Sequence, residues 1–74
     1  MPTINMKATG KNIERLRKKA GYSVKDMQKL IEVGSLQAIY NWQRGTTLPT
    51  VDNLLVLSKI LGVSIEEILV CDIE

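Results

Sequence analysis

The stretch SVKDMQKLIEVGSLQAIYNWQRG, residues 23–45, decides the fold of this chain. It opens on Ser23 with the carboxylate of Asp26 three residues later, a pattern that caps the first turn of a helix. Apolar residues four apart follow, so we predict a short helix over residues 24–31. The next three residues, 32–34, end in a glycine and predict a turn.

A second short helix is predicted after this turn. Ser35 is a favourable N-terminal cap, and Gly45 can adopt the left-handed conformation that ends a helix. Between them, Ile39 and Trp42 lie three residues apart on one face, which gives helix 36–44 an apolar inner side and a polar outer side. Two short helices joined by a tight turn form a helix-turn-helix, whose second helix enters the major groove of DNA.

The segment before this motif also has the helical period. Ile13, Leu16 and Ala20 recur at three- and four-residue intervals, and Gly21 follows them as a helix-ending residue. Gly10, a residue that often breaks helices, stands where this pattern begins, so we predict the first helix over residues 10–20.

Two further helices are predicted after the motif. Thr50 caps an apolar helix that ends before Gly62, and Ser64 with Glu67 forms a capping box for a last short helix. No segment predicts a strand, so the fold class is all-α, a five-helix bundle. The inner residues predicted for the last two helices are Val51, Leu54, Leu57, Leu61, Ile65, Ile68 and Leu69.

Composition limits the fold and the chemistry. A chain of 74 residues supports one domain, and 45% hydrophobic with 24% charged residues is typical of a folded protein. Histidine is absent and Cys71 is the single cysteine, which excludes an intramolecular disulfide, the usual zinc sites and histidine-based acid–base catalysis. We expect no metal, no cofactor and no enzymatic activity. No apolar run is long enough for a membrane helix or signal peptide, so we expect a soluble, cytoplasmic protein.

Charge is distributed unevenly along the chain. Residues 1–30 contain eight lysines and arginines against two carboxylates, whereas residues 45–74 contain one lysine against five carboxylates. This asymmetry favours a basic face that meets a polyanion, although a run of charge can also serve only to solvate a surface.

Five fragments of the sequence form a pattern of fixed order and spacing: Ile13-x-x-Leu16-Arg17, Gly21-Tyr22-Ser23, Ile39-x-x-Trp42-Gln43-Arg44-Gly45, Leu48-Pro49 and Leu54-x-x-Leu57-x-x-x-Leu61-Gly62-Val63-Ser64. This pattern resembles the Xre-type helix-turn-helix domains of the Cro and phage-repressor superfamily. The resemblance implies a repressor-like DNA-binding domain over residues 10–70, flanked by an N-terminal arm, 1–9, and a C-terminal tail, 71–74. It also implies a sequence-specific transcriptional regulator that binds double-stranded DNA.

The resemblance implies which residues face the groove: Ser35, Leu36, Gln37, Tyr40 and Asn41. Gln37 and Asn41 can bind adenine through N6 and N7, and Leu36 can contact a thymine methyl. The alternative for the two amides is that they are merely exposed polar positions. Tyr40 can read a base, bind a phosphate or pack by its ring. Trp42 is predicted to be a core residue and not a surface for base stacking.

Phosphate contacts are expected on both sides of the motif, from Arg44, Thr46, Thr47, Lys25 and Arg17. Members of the family often pair a glutamate before the last arginine of helix 3 with an arginine of helix 1. Gln43 stands in the place of that glutamate and faces Arg17, so the resemblance implies a charge-assisted hydrogen bond that leaves Arg17 freer to contact a phosphate.

We expect a homodimer, because so small a domain reads too few base pairs alone. An apolar excess formed by Val56, Ile60, Val70, Cys71 and Ile73 is a possible interface, and extra core contact is the alternative. The competing function is a protein-interaction module, such as an antitoxin or accessory subunit, that uses the same fold to bind another protein. No membrane partner is expected.

Overall fold

The computed structural model describes residues 2–31 and 35–72. Within them the chain forms five helices and a small antiparallel sheet. The all-α prediction is confirmed, and the predicted bounds of the second, third and fourth helices agree with the structure. The elements are β1 (Thr3–Ile4), α1 (Met6–Ala20), α2 (Val24–Ile31), α3 (Leu36–Arg44), α4 (Val51–Leu61), α5 (Ile65–Ile68) and β2 (Cys71–Asp72). The turn predicted at Glu32, Val33 and Gly34 and the interface residue Ile73 lie outside the described residues.

Helix α1 begins four residues earlier than the sequence predicts. Asn5 is its N-terminal cap, and the Oδ1 atom of Asn5 accepts a hydrogen bond of 2.9 Å from the Ala8 N–H. Gly10, which in sequence looks like a breaker, lies inside the helix and is buried. It is retained there because α3 approaches so closely that a Cβ at Gly10 would collide with the backbone carbonyls of Trp42 and Gln43. Close backbone packing therefore outweighs the low helix propensity of glycine.

The sheet joins the two ends of the described chain. Thr3 pairs with Asp72 and Ile4 with Cys71, and the Asn5 N–H donates to the Val70 carbonyl at 2.8 Å. Each strand has only two residues, too few for an alternating pattern to be visible in the sequence, which is why no strand was predicted. Part of the predicted arm and part of the predicted tail are therefore paired with each other.

Polar side chains on α1 extend this connection. Thr9 is fully buried, and its hydroxyl accepts the Val70 N–H at 2.9 Å. One turn further on, Asn12 Nδ2 donates to the carbonyls of Glu67 at 2.7 Å and Ile68 at 3.0 Å. These bonds satisfy carbonyls at the end of α5, so α1 provides the cap that this short helix needs.

The core confirms most of the predicted inner faces. Its buried hydrophobic residues are Ile13, Leu16, Met27, Ile31, Ile39, Trp42, Leu54, Leu57 and Ile68, with Leu61, Ile65 and Leu69 packed against them. Two predicted inner residues are wrong. Val51 is 77% exposed because it is the first residue of α4 and no described element covers that turn, and Ala20 is exposed at the last position of α1. None of the helices in the described ranges is long and apolar enough to span a membrane.

The predicted cap of α2 is present as a reciprocal pair of hydrogen bonds. The Ser23 N–H donates to the Asp26 carboxylate at 2.9 Å, and the Asp26 N–H donates to the Ser23 hydroxyl at 3.0 Å. The bond from the Ser23 backbone lowers the pKa of Asp26 below its ordinary value, with smaller contributions from the Ser23 hydroxyl and the charge of Lys29. The ionised carboxylate is therefore the form that holds the start of α2.

This cap predicts a pH-dependent stability difference. A lowered folded-state pKa means that the carboxylate stabilises the fold above the ordinary aspartate pKa of about 4 and loses that effect as the pH falls through the folded-state value. We expect Asp26→Asn to lower the Tm at neutral pH and to approach the wild-type Tm in acid. Thermal unfolding followed by circular dichroism at both pH values measures this, with Asp52→Asn in the first turn of α4 as the charge-matched control. An Asp26→Asn difference that does not change with pH would contradict the assignment.

Candidate nucleic-acid interface

Helix α3 is held against the body of the domain by one face. Ile39 is fully buried and Trp42 is 5% exposed, and both belong to the same core cluster as Met27 and Ile31 of α2. This confirms Trp42 as a core residue.

The opposite face of α3 carries the predicted reading residues. Positions 36, 37, 40, 41 and 44 fall within an arc of about 140° at the helical repeat of 3.6 residues per turn. Gln37 is exposed, Tyr40 is 44% exposed, and Leu36 and Asn41 are half-buried. Ser35 occupies the N-terminal cap position, but its hydroxyl makes no capping hydrogen bond. The structure thus brings Leu36, Gln37, Tyr40 and Asn41 together with the predicted phosphate residue Arg44 on one surface that faces away from the core, and Ser35 lies before the first turn of the helix.

Three side chains on this surface form a hydrogen-bonded network. Gln37 Nε2 donates to Asn41 Oδ1 at 3.0 Å, and Arg44 Nη2 donates to the same oxygen at 2.8 Å. The three residues lie four and three positions apart, the spacing at which helical side chains meet. The sequence contains that spacing, but it does not reveal which atom of Asn41 is used.

The loop after α3 is fixed by backbone bonds. Gly45 ends the helix with φ 78°, and the N–H groups of Thr46 and Thr47 donate to the backbone carbonyl of Asn41 at 3.0 and 3.4 Å. The two amides are therefore used inside the protein, whereas the side chains of Thr46 and Thr47 are exposed.

The Arg17 side chain is bonded within the protein. It is only 9% exposed; its Nε donates to Gln43 Oε1 at 2.9 Å and its Nη1 to the Tyr22 carbonyl at 2.8 Å. The pairing of Arg17 with Gln43 is as the resemblance implies, and these bonds hold the guanidinium in a buried position. Lys25, by contrast, is exposed in the first turn of α2.

The apolar residues that α4 exposes differ from those predicted for the interface. Val56 and Ile60 are packed against the core, which favours the alternative of extra core contact for these two. The exposed apolar residues of α4 are instead Val51 and Leu55, the latter 51% exposed. Val51 is predicted on the inner stripe, whereas Leu55, four residues later, is predicted neither on that stripe nor at the interface.

Comparisons with known proteins agree on the family. A helix-turn-helix family model matches residues 13–68. The chain is similar to the P22 c2 repressor, solved in complex with synthetic operator 9T in the presence of Tl⁺, with 38% identity, a TM-score of 0.76, and coverage of 82% of this chain and 91% of that one.

A second solved structure shares the fold. The restriction-modification controller protein C.AhdI from Aeromonas hydrophila has 21% identity and a TM-score of 0.76, over 85% of this chain and 94% of that one. No curated protein matches the chain. A family model covering most of the chain, together with the identity to a repressor over most of both lengths, is sufficient to assign the family. The chain therefore belongs to the Xre-type helix-turn-helix family, as its sequence motifs predict.

Proposed function

We propose that this chain is a sequence-specific DNA-binding transcriptional regulator that places α3 in the major groove. The observation that carries the proposal is the division of α3 into a buried face, Ile39 and Trp42, and an outer face on which Gln37, Asn41 and Arg44 are connected by hydrogen bonds. A major groove about 12 Å wide admits one helix whose polar side chains reach the base edges. The similar P22 c2 repressor was solved on an operator.

Base reading is proposed for the outer face of α3. Gln37 retains its Oε1 acceptor and a second N–H after donating to Asn41, so it can bind adenine at N6 and N7. Leu36, which is half-buried on the same face, can contact a thymine methyl. The hydroxyls of Ser35 and Tyr40 can each donate to or accept from a base edge or a phosphate.

Phosphate binding is proposed for Lys25, Arg44 and the hydroxyls of Thr46 and Thr47, which flank the groove-reading surface on α2 and on the loop after α3. We leave Arg17 out of this set because it is buried and bonded within the protein. Neutralising phosphates releases condensed counterions, and this contribution provides most of the non-specific affinity.

We propose that two copies bind together as a symmetric dimer. One domain of this size covers too few base pairs to find a site in a genome, and helix-turn-helix dimers read half-sites about 34–36 Å apart. The operator is then an inverted repeat whose half-sites are one helical turn apart.

Selection of bound duplexes from a random DNA pool tests this function. We expect an enriched inverted repeat, and an affinity for it that falls steeply as salt rises. Failure to enrich any sequence, together with binding that does not depend on salt, would contradict the proposal.

Two lysine variants distinguish a phosphate contact from a general effect of the protein's charge. We expect Lys25→Ala to weaken binding to all sequences alike and to reduce the slope of log affinity against log salt by about 2 for a dimer, since each phosphate that is no longer neutralised reduces it by about one. Lys59→Ala, which removes the same charge from the last turn of α4, is the control and is expected to leave the slope unchanged. Titration of a labelled duplex at several salt concentrations measures both, and equal slopes for the two variants would remove Lys25 from the interface.

A further inference from the structure

We propose that Asn41 reads a hydrogen-bond acceptor on a base edge, with guanine as the favoured base, and that Arg44 is the residue that positions it to do so. The inference rests on the proposed function and specifies which base chemistry one residue of α3 selects. It is carried by the network that connects Gln37, Asn41 and Arg44.

The orientation of the Asn41 amide follows from the chemistry of its partner. A guanidinium has only donors, so the atom of Asn41 that lies 2.8 Å from Arg44 Nη2 must be the carbonyl oxygen Oδ1. The same oxygen receives the Gln37 Nε2 donor at 3.0 Å. A carbonyl oxygen has two lone pairs, and both are occupied here. Asn41 therefore presents its Nδ2 amino group, with two N–H donors, to a ligand.

A donor-only Asn41 cannot make the paired contact with adenine that asparagine often makes. That contact needs Oδ1 to accept from the adenine N6 amino group while Nδ2 donates to N7. Guanine presents two acceptors, O6 and N7, on the same edge, thymine presents O4, and cytosine presents an amino donor. Guanine is therefore the base that best matches the exposed amino group, and the expectation that Asn41 binds adenine in the way Gln37 can is revised.

Gln37 and Asn41 thus match different hydrogen-bonding groups on the bases, although they lie four residues apart on the same face. Gln37 donates one N–H to Asn41 and retains both an acceptor and a donor, whereas Asn41 retains donors alone. The Arg44 guanidinium has further N–H groups beyond the one given to Asn41, so it can bind a phosphate at the same time. Arg44 in this way couples contact with the DNA backbone to the choice of a base.

The test compares the base preference of four proteins on the selected operator: the wild type, Asn41→Ala, Arg44→Met and Lys25→Met. Asn41→Ala identifies the position that Asn41 reads, because the base preference disappears there. At that position we expect the wild type to prefer guanine, and Arg44→Met to raise the affinity for adenine relative to guanine by about 5- to 150-fold, the range of one bidentate base contact. Arg44 is exposed, so methionine preserves the apolar stem, and the Tm of each variant verifies folding.

Lys25→Met is the matched control, since it also removes a cation proposed to contact phosphate. It is expected to lower affinity with an unchanged base profile, the behaviour of a residue that binds the backbone only. If the base is guanine, its replacement by 7-deazaguanine, which lacks the N7 acceptor, is expected to lower the affinity of the wild type and to leave the affinity of Asn41→Ala unchanged. If the wild type prefers thymine at this position and the preference disappears with a thymine analogue lacking O4, Asn41 donates to O4. That result supports the proposal that Asn41 reads an acceptor and identifies the base as thymine.

Three results would overturn the inference while leaving the proposed function intact. These are a wild-type preference for adenine or cytosine at the Asn41 position, an Asn41→Ala profile equal to that of the wild type, and an Arg44→Met profile that changes no more than that of Lys25→Met. A wild type that enriches no sequence at all overturns the proposed function, and this inference with it.

Discussion

Replacing Gly10 with valine is expected to reduce the free energy of unfolding by about 3 kcal/mol, since overpacking at a close contact has costs of that order. A Cβ at this position already collides with the carbonyls of Trp42 and Gln43, and these are backbone atoms that cannot rotate away. The Trp42 carbonyl also accepts the Gly45 N–H at 3.1 Å, as part of the cap that ends α3. The substitution therefore displaces the C-terminal end of the recognition helix.

Urea denaturation measures this prediction, and Ala20→Val provides its control. Ala20 lies on the same helix at an exposed position. The control therefore introduces the same β-branched side chain into α1 without the collision. Because α3 is displaced, we also expect Gly10→Val to bind the selected operator more weakly than Ala20→Val does. Equal stability of the two variants would show that α1 and α3 separate at little cost.

The second large effect is expected in binding. Gln37→Ala combined with Asn41→Ala removes both amides from the outer face of α3 while leaving its buried face unchanged. Each base contact contributes about 1–3 kcal/mol of discrimination, so the double variant should lose about 2–6 kcal/mol of preference per half-site. Affinity for a scrambled duplex should remain, because the proposed phosphate contacts are intact.

Competition between the selected and scrambled duplexes gives the discrimination directly. Gln28→Ala with Asn53→Ala is the matched control, because it removes the same two residue types from α2 and α4. The control should discriminate as the wild type does. A double variant at Gln37 and Asn41 that still prefers the selected duplex would show that sequence is read elsewhere or through DNA shape.

The features that the sequence predicted well are those determined by local chemistry. The caps at Thr50 and at Ser64 with Glu67 depend on residues three positions apart, and both are present with the expected hydrogen bonds. The buried pair of α3, Ile39 and Trp42, likewise follows from helical spacing. Local pattern was therefore enough to predict the bounds of α2 and α3 and the face of α3 that points outward.

The features that the sequence did not predict depend on residues far apart in the chain. Gly10 is a breaker by local propensity, and only the approach of α3 explains its place inside a helix. Arg17 is a basic residue on a basic helix, and its burial depends on Gln43, twenty-six positions away. The network around Asn41 is local, but spacing alone does not tell which of its side-chain atoms receives the two hydrogen bonds. Propensity and periodicity do not contain such information.

The connection between α1 and the segment after α5 has a consequence for the order in which the chain becomes structured. Thr9 and Asn12 are synthesised before their partners, which lie 55 to 61 residues later in the sequence. Closing so long a loop is entropically unfavourable until the intervening core has formed. A nascent chain on the ribosome therefore lacks the bonds that hold residues 67–70 to α1, the helix against which α3 packs, until those residues have emerged. The core that supports α3 is thus completed only after α5 has been synthesised, because Ile68 of α5 is one of its fully buried residues.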